Sequence, residues 1–160
     1  ISHLDEQLLG TKAGSHEGQQ TWESLCCLVA LRLWRTLWAQ HRMRLTLRGD
    51  NMCALALVAT LQAKSPALRI IAREFALDLA DAAFEPDVLE HTPGIQHVVA
   101  DQLSRRYDPK KKAGWEPPSA VLDVAENHPP ARDTYWWKSR PLPISSGPRA
   151  TGMEIEEIPV

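Results

Sequence analysis

Helix-like and strand-like patterns alternate along residues 20–104 of this 160-residue chain. From Gln20 to about Gln40 the apolar residues recur three or four positions apart, which is the spacing of one helix face. Residues 43–47 then alternate apolar and polar as a half-buried strand does, and Gly49 ends the pattern. Alternation of this kind favours an α/β layer fold whose sheet is partly parallel.

The later elements are predicted from caps, turn residues and apolar spacing. Asp50 is a good cap for a helix from Asn51 onward, and Ser65 is a good cap for a helix that starts at Pro66. Residues 1–20 are polar and contain three glycines, so we interpret them as the remnant of a strand followed by a loop. The predicted elements after Gly49 are a helix over residues 51–62, a helix over 66–84, a strand over 87–91 and a helix over 97–104.

The composition changes near residue 108. Nine of the twelve prolines lie from Pro109 onward, and the apolar periodicity disappears there. This predicts a domain over residues 1–108, ending near Tyr107, and a disordered, proline-rich linker or tail over residues 109–160. Trp136 and Trp137 are unusual in a linker. They are expected to dock either on a neighbouring domain or on this domain itself.

Net charge, apolar runs and cysteine content narrow the classes of protein to which the chain can belong. The formal net charge is -2, so no overall basic field attracts nucleic acid, although a local basic patch would suffice. No run of eighteen apolar residues predicts a membrane span. The three cysteines, Cys26, Cys27 and Cys53, have neither zinc spacing nor the pattern of a disulfide framework. An intracellular location, in the cytoplasm or nucleus, is therefore expected.

A short motif then points to a family. Residues 91–105 read HTPGIQHVVADQLSR, which resembles the HxPGxxNxxADxLSR segment that closes the ribonuclease H domain of retrotransposon reverse transcriptases. Residues 65–74 read SPALRIIARE and are similar to the SPxLNxIARE helix of such elements. His97 stands where the family pattern has Asn, and Gly49 stands where Ser or Thr usually precedes the aspartate.

The resemblance implies a fold for residues 1–108. In the ribonuclease H-like fold a mixed sheet has flanking helices, and three antiparallel strands precede the order helix, strand, helix, strand, helix. This chain matches the second part of that order. We therefore expect the opening strand or strands, with the first of the family's four carboxylates, to be missing from it.

The other three carboxylates are predicted to form the catalytic and metal-binding site. By the resemblance, Glu23, Asp50 and Asp101 would bind Mg²⁺, or Mn²⁺, for hydrolysis by two metal ions. Taken from the residues alone, a helix residue, a strand-end residue and a residue of the last helix can converge in an α/β sheet, and hard cations prefer carboxylate oxygens. Each residue also has a simpler interpretation: Glu23 as a helix-end glutamate, Asp50 as a helix cap and Asp101 as a solvated residue.

The partner implied is an RNA–DNA hybrid, with a reverse transcriptase domain in the same polyprotein. Arg48, Asn51, Arg105 and Arg106 are the predicted nucleic-acid contacts, mostly to phosphate, and His91 is expected to hold the turn after the strand. The expected activity is cleavage of the RNA strand, weak or absent in an incomplete domain. One alternative is a non-catalytic relic that serves as a packing or interaction module. An integrase-type nuclease is a second alternative, which fits the LSR segment poorly.

Overall fold

The computed structural model describes residues 1–38, 43–81, 84–93, 98–107 and 114–144. Within these ranges the chain has a mixed α/β architecture with five α-helices and two parallel strands, so the predicted α/β class is confirmed. Single 3₁₀ turns precede α2, follow α5 and lie within residues 114–144. The elements are α1 His3–Leu9, α2 Gln19–Trp38, β1 Met43–Gly49, α3 Met52–Thr60, α4 Pro66–Asp81, β2 Phe84–His91 and α5 Val98–Ser104.

The two strands end at the same edge of the sheet because they are parallel. Their register runs from Met43 opposite Phe84 to Gly49 opposite His91, with one irregularity near the middle. Parallel neighbours need a long crossover connection, and α3 and α4 provide it. Past the strand ends, the Thr92 backbone N–H donates to the Gly49 carbonyl at 3.0 Å. This bond joins the chain after β2 to the end of β1 and so fixes the backbone beside Asp50.

The hydrophobic core lies between the helices and is built by the predicted helix faces. Helix α3 contacts both strands as well as α2 and α4. No helix in the described part of the chain is both long and apolar enough to cross a bilayer. The fully or nearly buried core residues include Leu25, Leu28 and Leu31 of α2, Leu57 and Val58 of α3, and Ile71, Ala72 and Phe75 of α4.

The start of the chain differs from the prediction. Residues 3–9 form helix α1 rather than a strand remnant and loop. The Ser2 hydroxyl accepts from the Asp5 backbone N–H, and the Asp5 carboxylate accepts from the Ser2 backbone N–H, which is a capping box. Leu8 and Leu9 then enter the core. The cap and this apolar pair account for a helix that the surrounding glycines concealed.

The predicted boundary near residue 108 does not end the packed structure. Residues 132–144, here called the docked segment, lie against α1, α2 and α4 through side-chain and backbone contacts. Trp137 is only 2% exposed and belongs to the core, and Trp136 packs edge-on against it with ring centroids 5.0 Å apart. Of the two sites expected for these tryptophans, the structure has them on this domain itself.

Buried charges hold the docked segment to the helices. Arg32 of α2 binds Glu74 and Asp78 of α4, each at 2.6 Å. The buried Glu74 carboxylate also accepts from the backbone N–H groups of Lys138 at 2.9 Å and Ser139 at 2.7 Å. A buried carboxylate needs such partners because burial without them is costly. The network therefore makes residues 138–139 part of the folded unit.

A second buried pair joins the docked segment to the first helix. The Arg132 guanidinium donates two hydrogen bonds to the fully buried Asp5 carboxylate, at 2.9 and 2.7 Å. Paired geometry of this kind is the strong form of a charge-assisted hydrogen bond. Asp5 is thereby used twice, as the cap of α1 and as the partner of Arg132.

These carboxylates predict a loss of stability in acid. Burial is the largest influence on the Asp5 and Glu74 carboxyls, and it raises their pKa values. Hydrogen bonds outweigh burial: Arg132 donates to Asp5, and Ser139 and Arg32 donate to Glu74. The pKa of Asp5 therefore lies below its ordinary value of 3.8, and that of Glu74 below 4.5. Because the folded-state pKa is the lower one, the stabilisation is complete above the ordinary values and is lost as pH falls through the folded-state values. We expect the urea midpoint to fall as pH drops below about 4.5.

The matched control for this prediction is Asp5→Asn, which cannot ionise. Its urea midpoint should be lower than that of the natural chain at neutral pH and should change less as pH is lowered. A midpoint that stays constant through the acid range in the natural chain would contradict the assignment of these two carboxylates.

Candidate active site

A cleft of about 690 Å³ opens where β1 ends. Helix α2 forms one wall, the end of β1 forms the floor, and α5 with the residue after it forms the other wall. The three predicted carboxylates, which are far apart in sequence, all line this cleft. The lining residues are Gln19, Glu23, Cys26, Arg48, Gly49, Asp50, Ala100, Asp101, Ser104 and Arg105.

Glu23 lies one turn inside α2, where its neighbours Trp22 and Ser24 are buried. Its Oε1 accepts a hydrogen bond from the Gln19 side chain at 3.0 Å, one helical turn away. Its Oε2 is buried and has no hydrogen-bond partner among the described residues. The simpler interpretation, a glutamate at the helix end, does not fit because the first turn of α2 contains no acidic residue. Glu23 therefore presents an unsatisfied carboxylate oxygen on the cleft wall.

Asp50 is not the cap of α3, in contrast to the prediction. The neighbouring Asn51 takes that position, and its side-chain oxygen accepts from the backbone N–H groups of Cys53 at 2.9 Å and Ala54 at 3.1 Å. Asn51 has extended backbone angles, which a cap residue needs. This arrangement leaves the exposed Asp50 carboxylate at the strand end without a capping role.

Asp101 lies in the middle of α5 and forms an ion pair with Arg105, the first residue after that helix. Nη2 of Arg105, one turn later, lies 2.9 Å from Oδ1 and 2.7 Å from Oδ2 of Asp101. Both side chains are about half exposed, at 42% for Arg105 and 49% for Asp101. Asp101 is thus solvated, as its simpler interpretation holds, but it also faces the cleft.

The donor chemistry of the cleft fits a hard divalent cation. Carboxylate oxygens are the ligands that Mg²⁺ prefers, and Oε2 of Glu23 is an acceptor to which none of the described residues donates. The Cys26 thiol also lines the cleft. Desolvation by the surrounding protein raises its pKa although the residue keeps some exposure, which disfavours the thiolate that a soft metal needs. The spacing fits less well. Among the described residues, no three acidic, histidine or cysteine side chains lie close enough together to hold a single ion.

The predicted nucleic-acid contacts are divided between two places. Arg48 and Arg105 line the cleft, and Arg48 also pairs with Glu90 of β2 at 2.7 Å. Arg106 does not line it. Its guanidinium instead binds Glu126 through two contacts of 2.9 Å and lies 5.7 Å from the centre of the Trp115 ring. Asn51 caps α3 and does not line the cleft either. Of the four predicted contacts, Arg48 and Arg105 therefore remain at the cleft.

Two acidic residues of α1 and the histidine that ends β2 lie outside the cleft. Glu6 accepts from the Ala13 backbone N–H at 2.8 Å, and neither it nor the buried Asp5 lines the cleft. His91 ends β2 and is exposed; the bond described from Thr92 to Gly49 holds this turn. His97 lies outside the described residues.

Sequence reasoning missed two polar residues of the cleft. Gln19 precedes Glu23 by four positions, the spacing of neighbours on one helix face, and that spacing could have identified it. Ser104 donates its hydroxyl to the Asp101 carbonyl at 2.8 Å, and no feature of the sequence separates it from an ordinary helix-end serine.

No protein-family model matches the chain, and no curated protein or solved structure matches it either. The assignment of the cleft therefore depends on its own side chains and on the motif of residues 91–105.

Proposed function

We propose that the cleft is the active site of a ribonuclease H-type nuclease, which hydrolyses the RNA strand of an RNA–DNA hybrid. The observation that carries the proposal is the convergence of Glu23, Asp50 and Asp101, from three separate elements, on one cleft at the end of β1. The motif of residues 91–105 supports the same proposal from the sequence, since Asp101 lies within it. The same proposal includes a ribonuclease H-like sheet, of which the two described strands form one part.

Each residue of the cleft has a task in this chemistry. Bound Mg²⁺ or Mn²⁺ would supply an activated water and relief of charge on the leaving oxygen. Glu23, Asp50 and Asp101 would hold the metal, and no described residue donates a hydrogen bond to Oε2 of Glu23. Gln19 would orient Glu23 through its hydrogen bond to Oε1. Ligands fixed by such neighbours bind metal more tightly than ligands that must be ordered on binding.

The hybrid would be recognised through its backbone. Arg48 and Arg105 are the cations of the cleft, and guanidinium groups suit phosphate because they can donate two parallel hydrogen bonds. Shape, phosphates and 2′-hydroxyls distinguish a hybrid from duplex DNA without reading its bases. A reverse transcriptase domain in the same polyprotein is the partner that this proposal implies.

A second candidate is a non-catalytic packing or interaction module. The observation that favours it is the spacing of the acids, since no three of them surround one point in the described residues. The two candidates differ in a measurable way, because only the first requires divalent cations to bind at Glu23, Asp50 and Asp101.

The test is cleavage of a labelled RNA–DNA hybrid in Mg²⁺ or Mn²⁺. Two proteins are compared: the 160-residue chain and a version extended upstream in the reading frame. Three carboxylates line the cleft in the described residues, whereas the two-ion mechanism needs a ligand shared between the metals. We therefore expect little or no cleavage by the 160-residue chain and metal-dependent cleavage by the extended one.

Matched substrates sharpen this test. Single-stranded RNA and duplex DNA of the same sequence should stay intact under conditions in which the hybrid is cut. Robust cleavage by the 160-residue chain would show that its own residues complete the ligand set. A well-folded extended protein that cuts no hybrid would favour the non-catalytic module.

A further inference from the structure

The two cleft arginines are held in different ways. Arg48 reaches across the sheet to Glu90, which does not line the cleft. Arg105 instead binds Asp101, which is one of the three carboxylates of the proposed metal site. A positive side chain therefore already occupies one predicted ligand, whereas Glu23 keeps an oxygen without a hydrogen-bond partner in the described part of the chain.

The contact between Arg105 and Asp101 engages both oxygens of the carboxylate. A single nitrogen, Nη2, lies within 2.9 Å of Oδ1 and 2.7 Å of Oδ2. A divalent cation that binds Asp101 on the side held by Arg105 must replace this guanidinium on at least one oxygen. The exchange is feasible because both side chains are about half exposed, and exposed ion pairs one helical turn apart are weak.

We propose that Arg105 is the exchangeable counter-ion of Asp101. In the metal-free protein Arg105 neutralises the Asp101 carboxylate. When a divalent cation binds Asp101, the guanidinium is released and contacts a phosphate of the hybrid. This inference rests on the proposed function. It makes Arg105 a positioning residue that couples metal binding to nucleic-acid binding. Since such coupling is reciprocal, the hybrid also tightens the hold on the metal.

The first test is calorimetric titration of the 160-residue chain with Mn²⁺. We expect Arg105→Gln to tighten Mn²⁺ binding by about three- to tenfold, the effect of removing one positive charge a few ångströms from a divalent ion in a solvated site. The gain should vanish in the double variant with Asp101→Asn. Arg48→Gln is the matched control, because it removes a charge from the same cleft without vacating Asp101. Arg73→Gln, on the exposed face of α4, controls for net charge.

The second test is hybrid binding, followed by fluorescence anisotropy with and without Ca²⁺, a hard cation that takes the same oxygen ligands. We expect Ca²⁺ to tighten hybrid binding by the natural chain about fivefold, a typical coupling between two sites. In Arg105→Gln this gain should be lost. Circular dichroism spectra of all variants verify that they are folded.

The outcomes separate this inference from the proposed function. Equal gains in Mn²⁺ affinity for Arg105→Gln and Arg48→Gln would overturn the exchange, since the effect would then be one of general charge. If Arg105→Gln gains no Mn²⁺ affinity while Asp50→Asn and Asp101→Asn bind Mn²⁺ more weakly, the exchange is overturned. The proposed metal site would then still stand. Failure of the natural chain and of every variant to bind Mn²⁺ would overturn both.

Discussion

Replacing Glu74 with alanine is expected to lower the free energy of unfolding by about 3–5 kcal/mol, the usual cost of removing one partner from a buried ion pair. The Glu74 carboxylate is fully buried and binds Arg32 and the backbone N–H groups of Lys138 and Ser139. Without it, the guanidinium and the two N–H groups lose an acceptor in the protein interior. Urea unfolding followed by tryptophan fluorescence measures the loss.

The docked segment gives this prediction a second readout. Because Glu74 holds residues 138–139, limited proteolysis of Glu74→Ala should cut within residues 114–144 sooner than in the natural chain. Asp81→Ala is the matched control: Asp81 also binds Lys138, at 2.8 Å, but it lies at the exposed end of α4, and surface ion pairs contribute little. Equal stability of the Glu74 variant and the natural chain would show that the segment is not held as described.

The second large effect concerns Asp50. In the upstream-extended protein, Asp50→Asn is expected to reduce cleavage of the hybrid at least about 100-fold, because a metal supplies several kcal/mol of transition-state stabilisation and each 1.4 kcal/mol is a factor of ten in rate. Asparagine keeps the shape of the side chain and removes its charge. Since Asn51 rather than Asp50 caps α3, the substitution should leave the stability of the protein nearly unchanged.

The control for Asp50→Asn is Asp123→Asn. Asp123 is exposed and does not line the cleft, so this variant should cut the hybrid at the natural rate. Cleavage within a few-fold of the natural rate in Asp50→Asn would remove Asp50 from the metal site. A large drop accompanied by a loss of folded structure would instead mean that the residue has a structural role.

Local patterns predicted most of the elements between residues 19 and 104. The apolar spacing gave α2 and α4 to within three residues at each end, because a helix that buries one face repeats its apolar positions. Ser65 caps α4 as expected, since its hydroxyl accepts a hydrogen bond from the Leu68 backbone N–H at 3.2 Å. Strand β2 begins three residues before its predicted start at Asp87, because pairing with the full length of β1 extends it through Pro86.

Contacts distant in sequence account for what the patterns could not predict. Arg132 and Asp5 are 127 positions apart, and no local periodicity marks either as buried. The docked segment has no regular helix or strand, so nothing in its own pattern predicted that Trp137 would enter the core. Proline density indicates that a segment lacks regular structure, but it does not show whether the segment packs.

The carboxylates of the candidate site were predictable from the sequence, but their local roles and two of the polar residues beside them were not. The motif and the strand end pointed to Asp101 and Asp50, and both line the cleft. The choice between Asp50 and Asn51 as the cap of α3 was not predictable, because both residue types are good caps. A helix that starts one residue earlier or later would change which of them is the cap. The spacing of four residues between Asp101 and Arg105 suits an ion pair, but only the folded structure shows that both residues line the cleft.

The proposed metal site is tested most directly by locating bound Mn²⁺ in this protein. Mn²⁺ broadens the NMR signals of nearby nuclei, and its anomalous scattering identifies it in crystals. We expect Mn²⁺ between α2, the end of β1 and α5, with Glu23, Asp50 and Asp101 among its nearest residues, and loss of the effect in Asp50→Asn. Mn²⁺ bound elsewhere on the protein, or at the cleft with equal strength in Asp50→Asn, would contradict it.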